Sequence, residues 1–241
     1  MTYSRRVPMC LLPAAVLVLL TVEVQAQQVQ PGDIHIGIGA GAIFTEPTKF
    51  SAVGNIAGLD AAASGKLGFD TGASVVGFAD YGITRYLNAL FQLGYVTEHI
   101  ASFQGNLSLG NIGRMSGSVR TDGNIGSLAG LVNIVVVPFG GAGSVTPYFG
   151  GGIGFASSHV SLRSADVLGS TLPLDVSSSE TDLAADLLVG VDYKVGTRGY
   201  IGLAYQFVRI SASNLGSTGT LRAKTGAIES HFLGALFELR F

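Results

Sequence analysis

The sequence predicts an all-β protein, an eight-stranded antiparallel up-and-down transmembrane β-barrel. Charged residues make up 12% of the chain, about half the share that is typical of globular proteins. No stretch after residue 30 has the ~18 consecutive apolar residues of a transmembrane helix. Apolar residues instead alternate with polar or small ones in several segments. A chain that crosses lipid with strands must close them into a barrel, because every backbone N–H and C=O needs a partner there.

The N-terminus has the pattern of an export signal. Arg5 and Arg6 precede an apolar run over 11–22, and small residues ending at Ala26 form a cleavage site. We therefore expect residues 1–26 to be a cleaved signal peptide and residues 27–241 to be one barrel domain. The alternative is an uncleaved anchor, which the short apolar run disfavours.

The single cysteine, Cys10, lies within the expected signal peptide. The mature chain would then have no cysteine, which excludes disulfides, thiolate catalysis and cysteine-based zinc sites. The formal net charge of −2 and the lack of a basic patch interleaved with aromatic residues argue against a nucleic-acid partner.

Period-two alternation is clearest between Asp33 and Phe44. Isoleucine, alanine and phenylalanine occupy one row of this segment, and aspartate, histidine and glycine occupy most of the other. Successive side chains of a strand point to opposite faces, so the segment is a strand with one apolar face. The eight predicted strands cover 33–44, 69–81, 86–98, 118–137, 146–160, 182–193, 200–208 and 232–241. An even number is expected for a bacterial single-chain barrel.

The predicted connections alternate in length. Short connections cover 82–85, 138–145 and 194–198. Long connections rich in Ser, Gly, Thr and Asn cover 45–68, 99–117, 161–180 and 209–225. Outer-membrane barrels have short periplasmic turns and long extracellular loops. We therefore expect the long loops outside the cell and both termini at the periplasmic rim.

The acidic residues of the strands indicate which face meets lipid. A soluble barrel would place its apolar row inside and its charges outside. Here seven acidic residues lie opposite the apolar rows: Asp33, Asp70, Asp80, Glu98, Asp182, Asp186 and Asp192. This arrangement favours a polar lumen inside a lipid-facing coat. The chain has no Trp, so the candidates for aromatic girdles are Tyr81, Tyr86, Tyr95, Tyr193, Tyr205 and Phe241.

Three stretches resemble a known family. They are Asn133–Val137 with Thr146–Phe155, Gly190–Lys194 with Tyr200–Gln206, and the last strand ending in Phe241. The chain resembles the small outer-membrane β-barrels of the OmpA-type transmembrane and opacity-porin group of proteobacteria. The resemblance implies that the barrel-assembly machinery recognises the terminal strand with Phe241. It says little about activity, because the group includes structural proteins, adhesins, immune-evasion proteins and narrow pores.

Inward-facing charges are the first candidate site. We expect a lumen charge network in which acidic residues pair with Arg240, Arg85 or His35. The network either fills the lumen with satisfied charge or gates a narrow pore. Its predicted members are Glu98, Asp182, Asp186, Asp192, Glu238 and Arg240.

Basic residues near the outer rim are the second candidate site. They could contact lipopolysaccharide phosphates, the arginines by bidentate bonds, or they could be solvated loop charge. The residues are Arg163, Arg209, Arg222 and Lys224.

Catalysis and cofactor binding are disfavoured. His159 and Ser161 share a strand face as in lipid A deacylases. A nucleophile needs an oriented base, however, and Leu162 stands where those enzymes have an asparagine after the serine. The histidines have no metal-ligand spacing. The Gly-rich stretch 150–154 lies in a strand and precedes no helix, so no cofactor is expected.

The sequence therefore predicts a non-enzymatic outer-membrane protein with a structural or surface-interaction role through its long loops. Its expected partners are outer-membrane lipids, lipopolysaccharide and the assembly machinery, and the loop partner is open. A narrow pore for ions or small solutes is the first alternative. A lipid A-modifying enzyme is the second.

Overall fold

The computed structural model describes residues 30–56, 59–110, 113–141, 143–167, 170–212, 217–218 and 221–241. The predicted signal peptide lies outside these residues. No helix in the described ranges is both long and apolar enough to span a bilayer.

In these ranges, twelve strands form one antiparallel sheet. They are β1 (Ile34–Thr45), β2 (Thr48–Ile56), β3 (Leu59–Phe69), β4 (Gly72–Gly82), β5 (Leu87–Leu109), β6 (Gly113–Val136), β7 (Val145–Val167), β8 (Ser170–Val195), β9 (Gly199–Ile210), β10 (Ser217–Thr218), β11 (Leu221–Thr225) and β12 (Ile228–Arg240).

Eight of these strands close into a ring. The order is β1, β4, β5, β6, β7, β8, β9 and β12, and β12 pairs with β1 to complete it. Each member matches one predicted strand, so the predicted eight-stranded barrel is confirmed. The 12 residues of β1 span about 40 Å, or about 28 Å of height at a tilt of ~45°, which matches the apolar thickness of an outer membrane.

The alternation in the sequence becomes the two faces of the ring. Ile36 and Ile38 are 53% and 67% exposed on the outside of the ring. His35, which precedes Ile36, is 6% exposed and points to the inside. The predicted girdle residues Tyr81, Tyr95 and the others named with them are likewise exposed. The outer coat is therefore apolar, as predicted.

The start of β1 and the end of β12 lie at one rim. The backbone N–H of Phe241 donates to the carbonyl oxygen of Ile34 at 2.8 Å. The short connections after β4, β6 and β8 lie at the same rim, and glycines with positive φ support two of them, at Gly140, Gly141 and Gly196. We call this rim the terminal end.

The four long connections were predicted as loops, and this prediction is largely wrong. The hairpin β2–β3 follows β1 and precedes β4 along the chain. In the sheet, β3 pairs with β5 from Ile100 to Leu109. Strand β11 pairs with β2, and β10 pairs with β11. Strands β5 to β8 each contain 23 to 26 residues and continue past the ring. We call β2, β3, β10, β11 and these continuations the extension.

Irregular pairing marks the level at which the extension begins. The register shifts at Gly68/Phe69, Ile100/Ser102, Asp122/Gly123 and Leu162/Ser164. These positions are cross-strand neighbours, since Ile100 pairs with Gly123 and Gly123 with Leu162. Bulges bend a strand and increase its twist, so the extension leaves the ring with a changed strand direction.

An apolar cluster fills the ring interior toward the extension. Its buried members come from six strands of the ring and from the hairpin. They are Leu67, Ile100, Ile125, Leu131, Ala156, Val160, Ala184, Ile210 and Ile228. Phe50, Phe69 and Phe103 pack against them. The expectation of a polar lumen throughout is therefore wrong for this part of the barrel.

Inward glycines allow neighbouring strands of the ring to approach each other closely. A Cβ on Gly154 would overlap the carbonyl oxygen of Gly130 on the neighbouring strand. Gly154→Ala should therefore cost about 1–3 kcal/mol of unfolding free energy, because overpacking forces the backbone to shift. Urea unfolding of the refolded barrel in lipid vesicles measures this loss.

Gly77→Ala is the matched control. Gly77 is also in a ring strand, but a Cβ there meets no atom within 4 Å among the described residues. Its unfolding midpoint should equal or exceed that of the native chain. Equal losses for the two variants would contradict the close approach at Gly154.

Candidate functional site

Ion pairs lie at the terminal end of the ring interior. The guanidinium of Arg240 bonds the carboxylate of Asp33, and their side chains are only 10% and 19% exposed. The Nδ1 atom of His35 lies 3.3 Å from Oε1 of Glu238. The imidazole of His35 also stacks on Tyr200, with ring centroids 5.8 Å apart. The two ion pairs tie the start of β1 to the end of β12, and the stacked rings tie β1 to β9.

A second acidic group lies beside these pairs. Asn88 donates from Nδ2 to Oδ2 of Asp80 at 2.6 Å. Asp192 and Tyr148 line the same cavity as His35 and Asp80. The terminal end thus brings together carboxylates from β4, β8 and β12.

An amide layer lies deeper in the ring. Gln206 donates to Oε1 of Gln92 at 2.9 Å and to Oδ2 of Asp186 at 2.6 Å. Asn133, which is fully buried, donates to the same oxygen of Gln92 at 3.1 Å. Two glutamines, Gln92 and Gln206, therefore cross-link four strands.

Glu98 belongs to a third polar group, near the apolar cluster. The hydroxyl of Thr45 donates to Oε2 of Glu98 at 2.7 Å and lies 2.7 Å from the hydroxyl of Ser230. Glu98 is 6% exposed. This group joins β1, β5 and β12 where the extension begins.

The predicted charge network is thus divided into separate groups. Glu238, Asp192 and Arg240 lie at the terminal end, Asp186 lies in the amide layer, and Glu98 lies next to the apolar cluster. Asp182 is half-buried on β8. That these groups act together as one lumen charge network stays a prediction.

Two expected members of the interior lie elsewhere. Arg85 is exposed in the β4–β5 turn, with its guanidinium carbon 4.4 Å from the ring centre of Tyr86. Asp70 is exposed and follows the last residue of β3. Both predictions are wrong, because turns and strand ends do not continue the inward row of the strand beside them.

Basic side chains occupy one outward face of the extension. Lys49 and Lys66 are direct cross-strand partners of β2 and β3. Lys224 pairs with Ser51, the next outward residue of β2, and Arg222 pairs with Val53. All four side chains are exposed. We call Lys49, Lys66, Arg222 and Lys224 the basic face.

The other predicted lipopolysaccharide contacts differ in position. Arg209, at the end of β9, lies 3.3 Å from Glu229 in an exposed ion pair. The backbone of Arg163 belongs to β7, and its side chain lies outside the described residues. Lys49 and Lys66 were missed because the segment 45–68 was interpreted as a loop, and a period-two reading of Lys49, Ser51 and Val53 could have found one of them.

The His159–Ser161 pair lies on the outer face of β7. Nδ1 of His159 is 2.8 Å from the hydroxyl of Ser179 on β8. The partner of this histidine is thus not the predicted nucleophile. In the described residues, no three His, Cys, Asp or Glu side chains are placed to hold a metal ion.

Comparison with known proteins identifies a family. A model described as the outer membrane protein beta-barrel domain matches residues 13–241. No curated protein matches the chain.

Three of the solved structures that match the chain have low sequence identity to it. Ail, the attachment invasion locus protein of Yersinia pestis in complex with sucrose octasulfate, is 13% identical over 88% of this chain and 100% of its own, with a TM-score of 0.42. Neisserial surface protein A is 19% identical over 87% and 99%, with a TM-score of 0.42. OprG of Pseudomonas aeruginosa is 14% identical over 88% and 97%, with a TM-score of 0.45.

The Asp33–Arg240 pair should contribute strongly to stability. Arg240→Met should cost about 3–5 kcal/mol of unfolding free energy, because it leaves a largely buried carboxylate without its partner. Adding Asp33→Asn should recover part of this loss. Urea unfolding of the single and double variants measures the coupling.

Arg209→Met is the control, since it breaks the ion pair with Glu229 in which the arginine side chain is 61% exposed. Exposed pairs contribute about 0–1 kcal/mol. If Arg240→Met cost no more than Arg209→Met, the buried pair would not hold β12 against β1.

Proposed function

The chain belongs to the family of outer membrane protein β-barrel domains, and we propose that it is a non-enzymatic barrel whose extension contacts anionic groups at the cell surface. The observation that carries the proposal is the basic face. Like charges directly opposite each other in a sheet are destabilising. Lys49 and Lys66 nevertheless lie opposite each other, so an anion between them would relieve the repulsion between their ammonium groups.

The register places further cations around this pair. Lys224 lies opposite Ser51, one outward position along β2 from Lys49. Diagonal neighbours of this kind are about 7–8 Å apart, within the reach of long side chains. Three ammonium groups can therefore approach one phosphate, and Arg222 extends the same face.

The chemistry and position of the face favour lipopolysaccharide phosphates as the anion. The basic face continues the outward, lipid-facing side of the ring beyond its apolar coat. Lysine binds phosphate as a point charge and arginine binds it through paired N–H groups. Outer-leaflet lipids whose acyl chains lie along the apolar coat would present their phosphates at this height.

A closed interior also supports this role over a pore. The apolar cluster joins side chains from most ring strands, and Ile100 and Ala156 within it are 0% exposed. Moving an ion through an apolar region costs several kcal/mol at least. A narrow pore is therefore the weaker candidate, and the cavity at the terminal end would be a blind one.

Neutralising the basic face should weaken lipopolysaccharide binding. For Lys49→Gln with Lys66→Gln, we expect a loss of affinity of about tenfold or more, equivalent to ~1.4 kcal/mol, and a weaker dependence on salt. Binding of fluorescent lipopolysaccharide to the refolded barrel in detergent measures both quantities.

Two controls accompany this measurement. Arg198→Gln removes an exposed arginine from the β8–β9 turn at the opposite rim and should leave affinity unchanged. Dephosphorylated lipopolysaccharide should bind the native barrel as weakly as the phosphorylated form binds the double variant. Equal binding of the two lipids by the native barrel would contradict a phosphate site.

The proposed orientation places the extension outside the cell. The only cysteine of the chain is Cys10, so a single new cysteine in the barrel reports its own side of the membrane. Ser51→Cys on the extension should react with an impermeant maleimide on intact cells. Thr197→Cys in the β8–β9 turn should react only after the outer membrane is permeabilised, and the reverse result would invert the orientation.

A further inference from the structure

The terminal end of the ring encloses a cavity that neither the ion pairs nor the surface role explains. The centres of water molecules can occupy about 70 Å³ of it, room for several waters or a ligand of a few heavy atoms. We call it the terminal cavity. Its polar walls include His35, Asp80, Asn88, Asp192, Tyr200 and Glu238.

Charge in the terminal cavity is unbalanced. Three carboxylates, those of Asp80, Asp192 and Glu238, line it. The only lining residue that can carry a positive charge is His35, since no lysine or arginine is among the described lining residues. Buried charge persists where an opposite charge lies nearby, so the cavity is suited to a cation.

Three residues that line the cavity carry buried atoms without a protein partner in the described ranges. Within the described part of the chain, Nε2 of His35, Oδ1 of Asp80 and Oδ1 of Asn88 are buried without a protein partner. His35 is 6% exposed and Asn88 is 4% exposed. Leaving such buried groups unpaired costs about 1–3 kcal/mol each.

All three atoms accept hydrogen bonds. A carboxylate only accepts, so Nδ1 of His35 donates to Glu238, and Nε2 accepts whenever the ring is neutral. Asn88 donates its amide to Asp80, which leaves its oxygen as the free atom. A ligand for this cavity must therefore donate hydrogen bonds.

Apolar and aromatic walls limit what kind of cation fits. Phe78, Leu90 and Leu236 line the cavity together with Tyr148 and Tyr200. The acidic side chains do not converge to hold a metal, since no metal-holding group of three exists in the described residues. A cation with N–H groups and a short apolar body would hydrogen-bond to the polar side chains of the cavity and pack against the apolar ones. Aromatic faces also attract such cations.

We infer that the terminal cavity binds a small protonated primary amine. Its ammonium donates hydrogen bonds to His35, Asn88 and Asp80. The carboxylates of Asp192 and Glu238 offset its positive charge. Its alkyl chain packs against Phe78 and Leu90. The amine enters from the terminal end, because the apolar cluster fills the interior on the other side. This inference does not depend on the proposed contact with lipopolysaccharide.

Titration of the refolded full barrel with propylammonium chloride tests the inference. The chain has no Trp and both Tyr148 and Tyr200 line the cavity, so tyrosine emission reports binding directly. We expect a saturable change in emission with propylammonium. We expect none with 1-propanol, its uncharged analogue, or with sodium chloride at the same ionic strength.

A pair of variants on one strand locates the site. Asp192→Asn removes a carboxylate of the cavity and should weaken propylammonium binding about tenfold or more. Asp182→Asn removes a half-buried carboxylate of the same strand that does not line the cavity, and should bind as the native barrel does.

Several results would overturn the inference. They are the absence of saturation with propylammonium, an equal response to 1-propanol or sodium chloride, and unchanged affinity in Asp192→Asn. If Asp192→Asn does not refold, as judged by heat-modifiable gel migration, the comparison of propylammonium with 1-propanol on the native barrel decides alone.

Discussion

The requirement that every backbone N–H and C=O find a partner inside the membrane determines this structure. Strands can meet it only as a closed ring, and here the pairing of β12 with β1 closes the ring. Side chains of the same two strands reinforce the closure through Asp33 with Arg240 and His35 with Glu238. Strand β12 is therefore tied to the start of the ring both by backbone pairing and by side-chain ion pairs.

Ring size then determines the interior. An eight-stranded barrel is just wide enough for side chains to fill it, so inward positions are either glycines or residues that pack or hydrogen-bond with one another. Polar groups occupy the terminal end and the amide layer around Gln92, and apolar side chains close the interior toward the extension. The two proposed sites, the terminal cavity and the basic face, lie where this packing leaves side chains free for other contacts.

The ring could be predicted from the sequence because lipid imposes a strict period of two on each strand. The extension could not, because outside the membrane both faces of a strand can be polar, and Ser, Gly, Thr and Asn resemble loop composition. Pairings were also hidden, since Asp33 and Arg240 are 207 positions apart and a strand pattern does not specify its neighbours. The inward acids were identified, but their division into separate groups depends on the register between strands.

The central claim is that the apolar cluster closes the barrel toward the extension. Single-channel recording of the refolded barrel in a planar bilayer tests it most directly, with heat-modifiable gel migration to establish that the barrel has formed. A folded barrel that shows no discrete openings is the predicted result. Stable, discrete conductance steps would contradict the closed interior and would make the lumen a pathway for ions.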